Sequence, residues 1–251
     1  MVDLPRAASG DMTGRRSLIT GAGRGIGRAC ALALAQAGSH VIAVARTAED
    51  LASLVAAGDG KIEAWREDVT SDAFFTKLER LAHLDVLVNN AGTNRPLLVQ
   101  DVDLATLDNM LALNVRAVYR TSQSARRVML KSGRGGSIIH MSSQMGHVGG
   151  SKRSVYCMTK HAVEGLTKAL AVELAPHAIR VNSVAPTFID TELTRSALLD
   201  AEFKRSVIES IPLGRLGRPQ DVVAAVLFLA SDAASFITGD SVRVDGGWTA
   251  R

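Results

Sequence analysis

Aromatic residues make up only 4% of this 251-residue sequence, and it carries just two cysteines. Neither does it hold an uncharged apolar run long enough to span a bilayer. Each scarcity excludes a class of protein. The few aromatics are not interleaved with a basic stripe. Despite a net charge of +4, Lys and Arg are scattered, with short pairs at Arg15-Arg16, Arg126-Arg127 and Lys152-Arg153. That pattern argues against a nucleic-acid partner. Cys30 and Cys157 sit inside apparent helices, without metal-ligand spacing to each other or to a histidine. Two thiols are too few for a disulfide framework, so a reducing, cytoplasmic setting is expected and no metal is. The opening "MVDLPRAASGDMTGRR" has no apolar h-region, so no signal peptide is expected, and no membrane partner.

What is present is a globular composition, 47% apolar and 22% charged, in which strand-like runs alternate with helical patterns. The strand candidates are residues 17–20, 40–46, 62–68, 84–92, 135–143, 179–186 and 240–247. Between them lie helical stretches: one after "GAGRGIG", one that Thr47 can cap and Gly58 stop, and one opened by Ser71. A long helical region covers roughly 104–131, another covers 154–176, and Pro219 opens the last. The strands are near-continuously apolar, as in parallel sheets covered on both faces. The expectation is a single α/β domain, a doubly wound parallel sheet of about seven strands with helices on both faces. Residues 1–13 read as a flexible extension. Residues 187–218, helical in flavour but without a partner strand, read as a substrate lid at the sheet's C-terminal edge.

The first strand runs into a glycine-rich turn, Gly21-xxx-Gly25-x-Gly27 with Gly23 in addition, and then into a helix. Glycines there allow close backbone approach to a pyrophosphate, whose charge meets the helix N-terminus. An acid at the end of the second strand would favour NAD(H). Ala45 stands there instead, followed by Arg46, and Arg24 lies in the turn. Two guanidinium forks suit a 2′-phosphate, so NADP(H) is favoured, with NAD(H) still compatible.

"SVYCMTKHAVEGLTKALAVELAP" (154–176) places Tyr156 and Lys160 four apart, on one helix face. Ser143 ends the fifth strand, at the edge where such folds hold ligands. A phenol and a hydroxyl converging on one carbonyl oxygen suit proton transfer coupled to hydride transfer. A lysine cation one turn away favours the phenolate and should lower the tyrosine pKa. Ser143 would stabilise the developing oxyanion.

With "TGAGRGIG" (20–27), "DV" (68–69), "NNAG" (89–92), Asn114 in "LALNVRAVY", "SS" (142–143), "YCMTK" (156–160), "VNSVAPTFIDT" (181–191) and "VDGG" (244–247), the chain resembles the short-chain dehydrogenase/reductases over residues 14–248. The resemblance implies a catalytic tetrad of Asn114, Ser143, Tyr156 and Lys160, with Asn114 holding a relay water. It implies cofactor contacts from Gly21, Arg24, Gly25, Ile26, Gly27, Arg46, Asp68, Val69, Asn90, Ala91, Gly92, Tyr156, Lys160, Pro186, Ile189 and Thr191. Asp68 and Val69 would meet adenine, Asn90 and its neighbours the ribose, and Ile189 and Thr191 the carboxamide. It also implies a homo-oligomer, usually a tetramer. Thr187 departs from the family's usual glycine after Pro186, and a Cβ there could alter nicotinamide contacts. Pro-Thr and the segment "VIAVARTAEDLASL" are similar to the sugar and dicarbonyl reductases, giving a lean toward small polyols, ketoses or dicarbonyls.

Gln144 and Met145 are the candidate substrate contacts, together with Ser143 and Tyr156, because the strand end aims them at the cleft. His140 reads as a satisfied core histidine. His147 reads as a residue of the loop bordering the substrate, Cys157 and His161 as packing residues, and Lys152-Arg153 as solvated loop. Trp248 fits either a subunit boundary or a neighbouring site. Two alternatives stand beside a ketone/alcohol oxidoreductase. One is a 3-oxoacyl-carrier-protein reductase; the other, of a different class, is a non-catalytic cofactor-sensing binding protein. An enoyl reductase is disfavoured by the Tyr–Lys spacing.

Overall fold

The computed structural model describes residues 10–195 and 197–250. Seven parallel strands form one sheet: β1 (Arg16–Thr20), β2 (His40–Ala45), β3 (Ile62–Arg66), β4 (Val86–Asn89), β5 (Gly136–Met141), β6 (Ile179–Pro186) and β7 (Ser241–Val244). Their order is β3-β2-β1-β4-β5-β6-β7. The chain therefore winds outward from β1 in one direction, then crosses to β4 and winds out in the other. That crossover leaves a crevice between β1 and β4 at the strands' C-terminal ends, where open α/β sheets bind their ligands.

Period-two alternation explains why these strands read as unbroken apolar runs. Ile19, Val41, Ala43, Val86, Val88 and Ile139 enter one core with α1 (Gly25–Gln36) and α9 (Pro219–Ala230). Their neighbours Leu18, Ile42, Val44, Leu87 and Ile138 enter the other core. There they meet α3 (Asp72–Glu79), α5 (Ala117–Ser132) and α6 (Ser154–Leu174). Both faces of the sheet are covered, so both registers must be apolar. Fully burying each such side chain is worth about 1.5–3 kcal/mol.

Local signals set the ends of several helices. Ser71 caps α3, its hydroxyl accepting from Phe74 N at 3.2 Å. Thr47 stands at the N-cap of α2 (Ala48–Ala56) but its side chain makes no capping bond. Pro219 opens α9, and the Asp221 carboxylate accepts from Arg218 N at 2.7 Å. Gly133, at φ +66°, ends α5 in the left-handed conformation.

The helical region 104–131 runs as α4 (Leu104–Leu111), a π-helical segment, Ala112–Arg116, and α5 in series. The supposed N-terminal extension ends early, since Met12 is fully buried and its N–H donates to Ala37 O at 2.7 Å. Residues 1–9 of it lie outside the described residues. The 187–218 excursion, with α7 (Glu192–Arg195) and α8 (Ala201–Glu209), is pinned at its base by a parallel bridge between Ile189 and Gly217. Trp248 packs on this excursion, 5.8 Å from the Phe188 ring, and Phe188 stands 5.8 Å from Phe203. Among the described residues, no helix is long and apolar enough to cross a membrane.

Candidate active site

The glycine turn lies at the head of β1, under the crevice. Gly21 and Gly25 adopt φ of +66° and +56°. A Cβ on Gly27 would stand 2.2 Å from Gly21 O, so α1 begins in direct backbone contact with the turn. Neither a capping side chain nor an acidic residue occupies the first turn of α1, Gly25, Ile26 and Gly27 included. Its free N–H groups and positive end suit a pyrophosphate.

Asn90 turns out to brace this turn. Its Nδ2 donates to Thr20 O and Gly21 O at 3.0 and 3.1 Å. The backbone N–H groups of Asn90 and Ala91 both donate to Thr20 Oγ1. Both donors of the Asn90 amide are thus engaged by the turn, leaving its Oδ1 and the surrounding backbone for the expected ribose contact. The Ile189 side chain is 2% exposed and packs in the core, which leaves its backbone for the expected carboxamide contact. Thr191 is buried beside it, within 3.6 Å of a Cβ built on Gly25.

Arg24 and Arg46, the two guanidinium groups read from the sequence, are both exposed. Asp68 accepts from Thr70 N and Oγ1 at 2.8 and 2.7 Å. These bonds, with the Arg46 charge nearby, hold its carboxyl below the usual carboxylate range. Val69, next to it, is buried.

On the far side of the crevice, α6 carries Tyr156 and Lys160. Lys160 Nζ sits 5.6 Å from the Tyr156 ring centre and donates to Met141 O at 2.7 Å. Burial pushes the Lys160 pKa down to about 8, against the opposing pull of the Glu164 carboxylate. Tyr156 differs from expectation: desolvation raises its pKa above the ordinary phenol value. Ser143 hydrogen bonding and the Arg153 charge pull it down only in part. Tyr156 is therefore a protonated phenol at neutral pH.

Ser143 Oγ accepts from Met145 N at 3.2 Å, capping the short turn that holds Gln144 and Met145. Gln144 is 1% exposed, yet among the described residues its Oε1 has no partner; nor has Thr187 Oγ1, just after Pro186. Thr187 is free of left-handed strain, so the turn takes a Cβ without distortion. Asn114 lies in the π-helical segment, fully buried. Its side chain donates to Thr93 O at 2.8 Å and accepts from Thr93 N at 2.9 Å. A Cβ on Gly92 would stand 3.3 Å from Asn114 Oδ1 and 3.9 Å from Lys160 Nζ, so glycine keeps the space between them open. A π-segment breaks the regular helical ladder, and such segments concentrate at functional sites.

The family model described as "Enoyl-(Acyl carrier protein) reductase" matches residues 21–249. The L-xylulose reductase of Bos taurus is 42% identical over 242 residues, covering 95% of this chain and 98% of its own. The chain is a short-chain dehydrogenase/reductase. The 3-oxoacyl-(acyl-carrier-protein) reductase FabG of Aquifex aeolicus (strain VF5) is 40% identical over 245 residues, covering 94% of this chain and 98% of its own. The crystal structure of a gluconate 5-dehydrogenase from Burkholderia cenocepacia J2315, in complex with NADP and tartrate, superimposes with a TM-score of 0.91. It is 32% identical and covers 97% of this chain and 98% of its own. This short-chain dehydrogenase/reductase is an NAD(P)-dependent oxidoreductase acting between alcohols and ketones.

Two residues of the site escaped the sequence reading. Glu164, four after Lys160, is a buried carboxylate held by Ser183 Oγ and Ser241 Oγ. An acid at i+4 from the lysine was the available signal. His147 Nε2 stands 3.4 Å from the Glu164 carboxylate. Arg153, expected in solvent, is 9% exposed beside Tyr156.

Proposed function

We propose that this protein is an NADP(H)-preferring oxidoreductase that interconverts a ketone and a secondary alcohol of a small, hydroxyl-rich substrate. The observation that carries the reading is Tyr156, a desolvated phenol with Lys160 Nζ near its ring and Ser143 at the facing strand end. When bound, the nicotinamide supplies or accepts the hydride. Tyr156 donates its proton to the carbonyl oxygen as that oxygen gains negative charge. Ser143 Oγ hydrogen-bonds the same oxygen and stabilises the developing charge. Lys160 keeps a positive charge under the phenolate that remains, and Asn114 closes the proton path behind it through its contacts with Thr93 and Thr159. Arg24 and Arg46 favour the 2′-phosphate, and the unpartnered Gln144 Oε1 supports a substrate with hydroxyl donors. Curated relatives named L-xylulose reductase support small ketoses, and those named FabG support a 3-oxoacyl thioester as the second reading. The same reading carries a homotetramer, to be measured by light scattering.

The test is the initial rate of NADPH and NADH oxidation with ketoses, α-dicarbonyls and an acetoacetyl thioester, with Tyr156→Phe as blank. Turnover of small carbonyls that is lost in the variant supports this reading. Thioester turnover alone moves it to acyl-chain reduction. Tight cofactor binding with no turnover in any arm defeats it in favour of a sensor.

A further inference from the structure

Arg153 stands at the N-cap of α6, three residues before Tyr156. It is 9% exposed, and burial lowers its pKa. A guanidinium partly withdrawn from water is best satisfied when a carboxylate or other acceptor meets it. Among the described residues none does: its one side-chain hydrogen bond is to Lys152 O, at a long 3.4 Å.

The surroundings of this charge belong to the cleft. Its stem packs against Gly150, where a built Cβ would stand 3.4 Å from Arg153 Cγ and 3.0 Å from Met145 Cε. The chain after β4 closes the other side, Leu97 N donating to Lys152 O at 3.1 Å. The charge is felt at Tyr156, whose ionised form it favours. The first turn of α6 holds no acidic residue, so the helix end adds to the positive field. Lys152, exposed next to it, carries the same sign. The titratable side chains that face it are Tyr156 and Cys157, neither of them a carboxylate.

We propose that Arg153 is a specificity-determining residue that binds a carboxylate of the substrate, making the substrate a hydroxy or oxo acid rather than a neutral ketose. The inference rests on the placement of the substrate carbonyl at Tyr156. One helical turn separates the two side chains, so a few carbons separate the acid from the reacting carbonyl. A carboxylate matches the planar fork of one guanidinium with two parallel hydrogen bonds and one compensating charge. The free polar atoms of Gln144 and Thr187 then remain for the hydroxyls between.

The test compares four- to six-carbon aldonates with alditols of the same configuration. Binding to the NADP⁺ complex is read by calorimetry, so it does not require turnover. The parent protein is expected to bind at least one aldonate about tenfold or more tightly than its alditol. Arg153→Met is expected to lose that preference while keeping alditol and NADP⁺ affinity, and to melt no lower than the parent. Arg153→Lys, which serves also if the Met variant does not fold, keeps the charge but loses the fork, so it should weaken aldonates and leave alditols alone. Equal affinity for acids and alcohols in the parent overturns the proposal. So does an equal loss of both in the variants, or a preference for sugar phosphates over aldonates. Arg153-dependent aldonate binding without oxidation by NADP⁺ would sustain this inference while defeating the proposed reaction.

Discussion

Lys160 Nζ donates to Met141 O at 2.7 Å, which ties the helix bearing Tyr156 to the last residue of β5, two residues before Ser143. The bond positions two elements, while the charge acts on a third group. Replacing the lysine by methionine removes both. Lys160→Met is expected to lower kcat by about 10²–10⁴-fold with the circular dichroism spectrum unchanged.

The charge also predicts a pH dependence. With the Lys160 pKa near 8, the ammonium is present below that pH and lost above it. Ketone reduction, followed as kcat/KM, is expected to fall above about pH 8. Glu164 favours the ammonium, so Glu164→Gln should move this limb to lower pH, by about one unit. An unmoved limb would mean that Glu164 only packs.

Gly27 tests the phosphate turn. A methyl there would meet Gly21 O at 2.2 Å and Asn90 Nδ2 at 2.4 Å, and the backbone atom cannot swing aside. Gly27→Ala is expected to separate α1 from the turn, weaken NADPH binding in a fluorescence titration, and cost about 1–3 kcal/mol of stability.

Arg46 should decide the cofactor. Its charge lies near enough to Asp68 to help hold that carboxyl below the usual range. Arg46→Ala is expected to reduce the NADPH over NADH preference in kcat/KM by about 10–100-fold, leaving NADH near its parent value. Equal losses with both cofactors would count against a 2′-phosphate contact.

His140 predicts how stability responds to acid. It is fully buried, with Nδ1 2.9 Å from Thr167 Oγ1 and Nε2 3.1 Å from Ser122 Oγ, which also accepts from Asn89. Burial, then the Lys160 charge, pushes its pKa down to about 3. The unfolded chain binds its proton near pH 6.5. Stability from this group is therefore complete above about 6.5 and declines toward pH 3, by up to about 1.4 kcal/mol per pH unit. Urea melts at pH 7.5 and 5.0 should show the loss, and His140→Gln should flatten it.

How far the site could be read in advance depended on the range of the interaction. The spacing of Tyr156 and Lys160 is a property of one helix, and the glycine turn of one strand–helix junction, so both were legible. Asn114 was legible only through family resemblance, because a π-segment leaves no periodicity of its own. Arg153 was misread, since a basic pair in a loop looks the same whether solvent or a cleft wall surrounds it.

The sequence by itself determined the alternation of strands and helices, the two-faced burial of the sheet and the order of the motifs. Those follow from local periodicity, capping and turn chemistry, which act over a few residues. Only the tertiary structure decided that β4 lies beside β1 and so opens the crevice there. It alone decided that Tyr156 is held protonated, that Glu164 stands behind Lys160, and that Arg153 is buried without a counter-charge among the described residues. Desolvation and charge pairing are sums over groups distant in the chain, and packing brings those groups together.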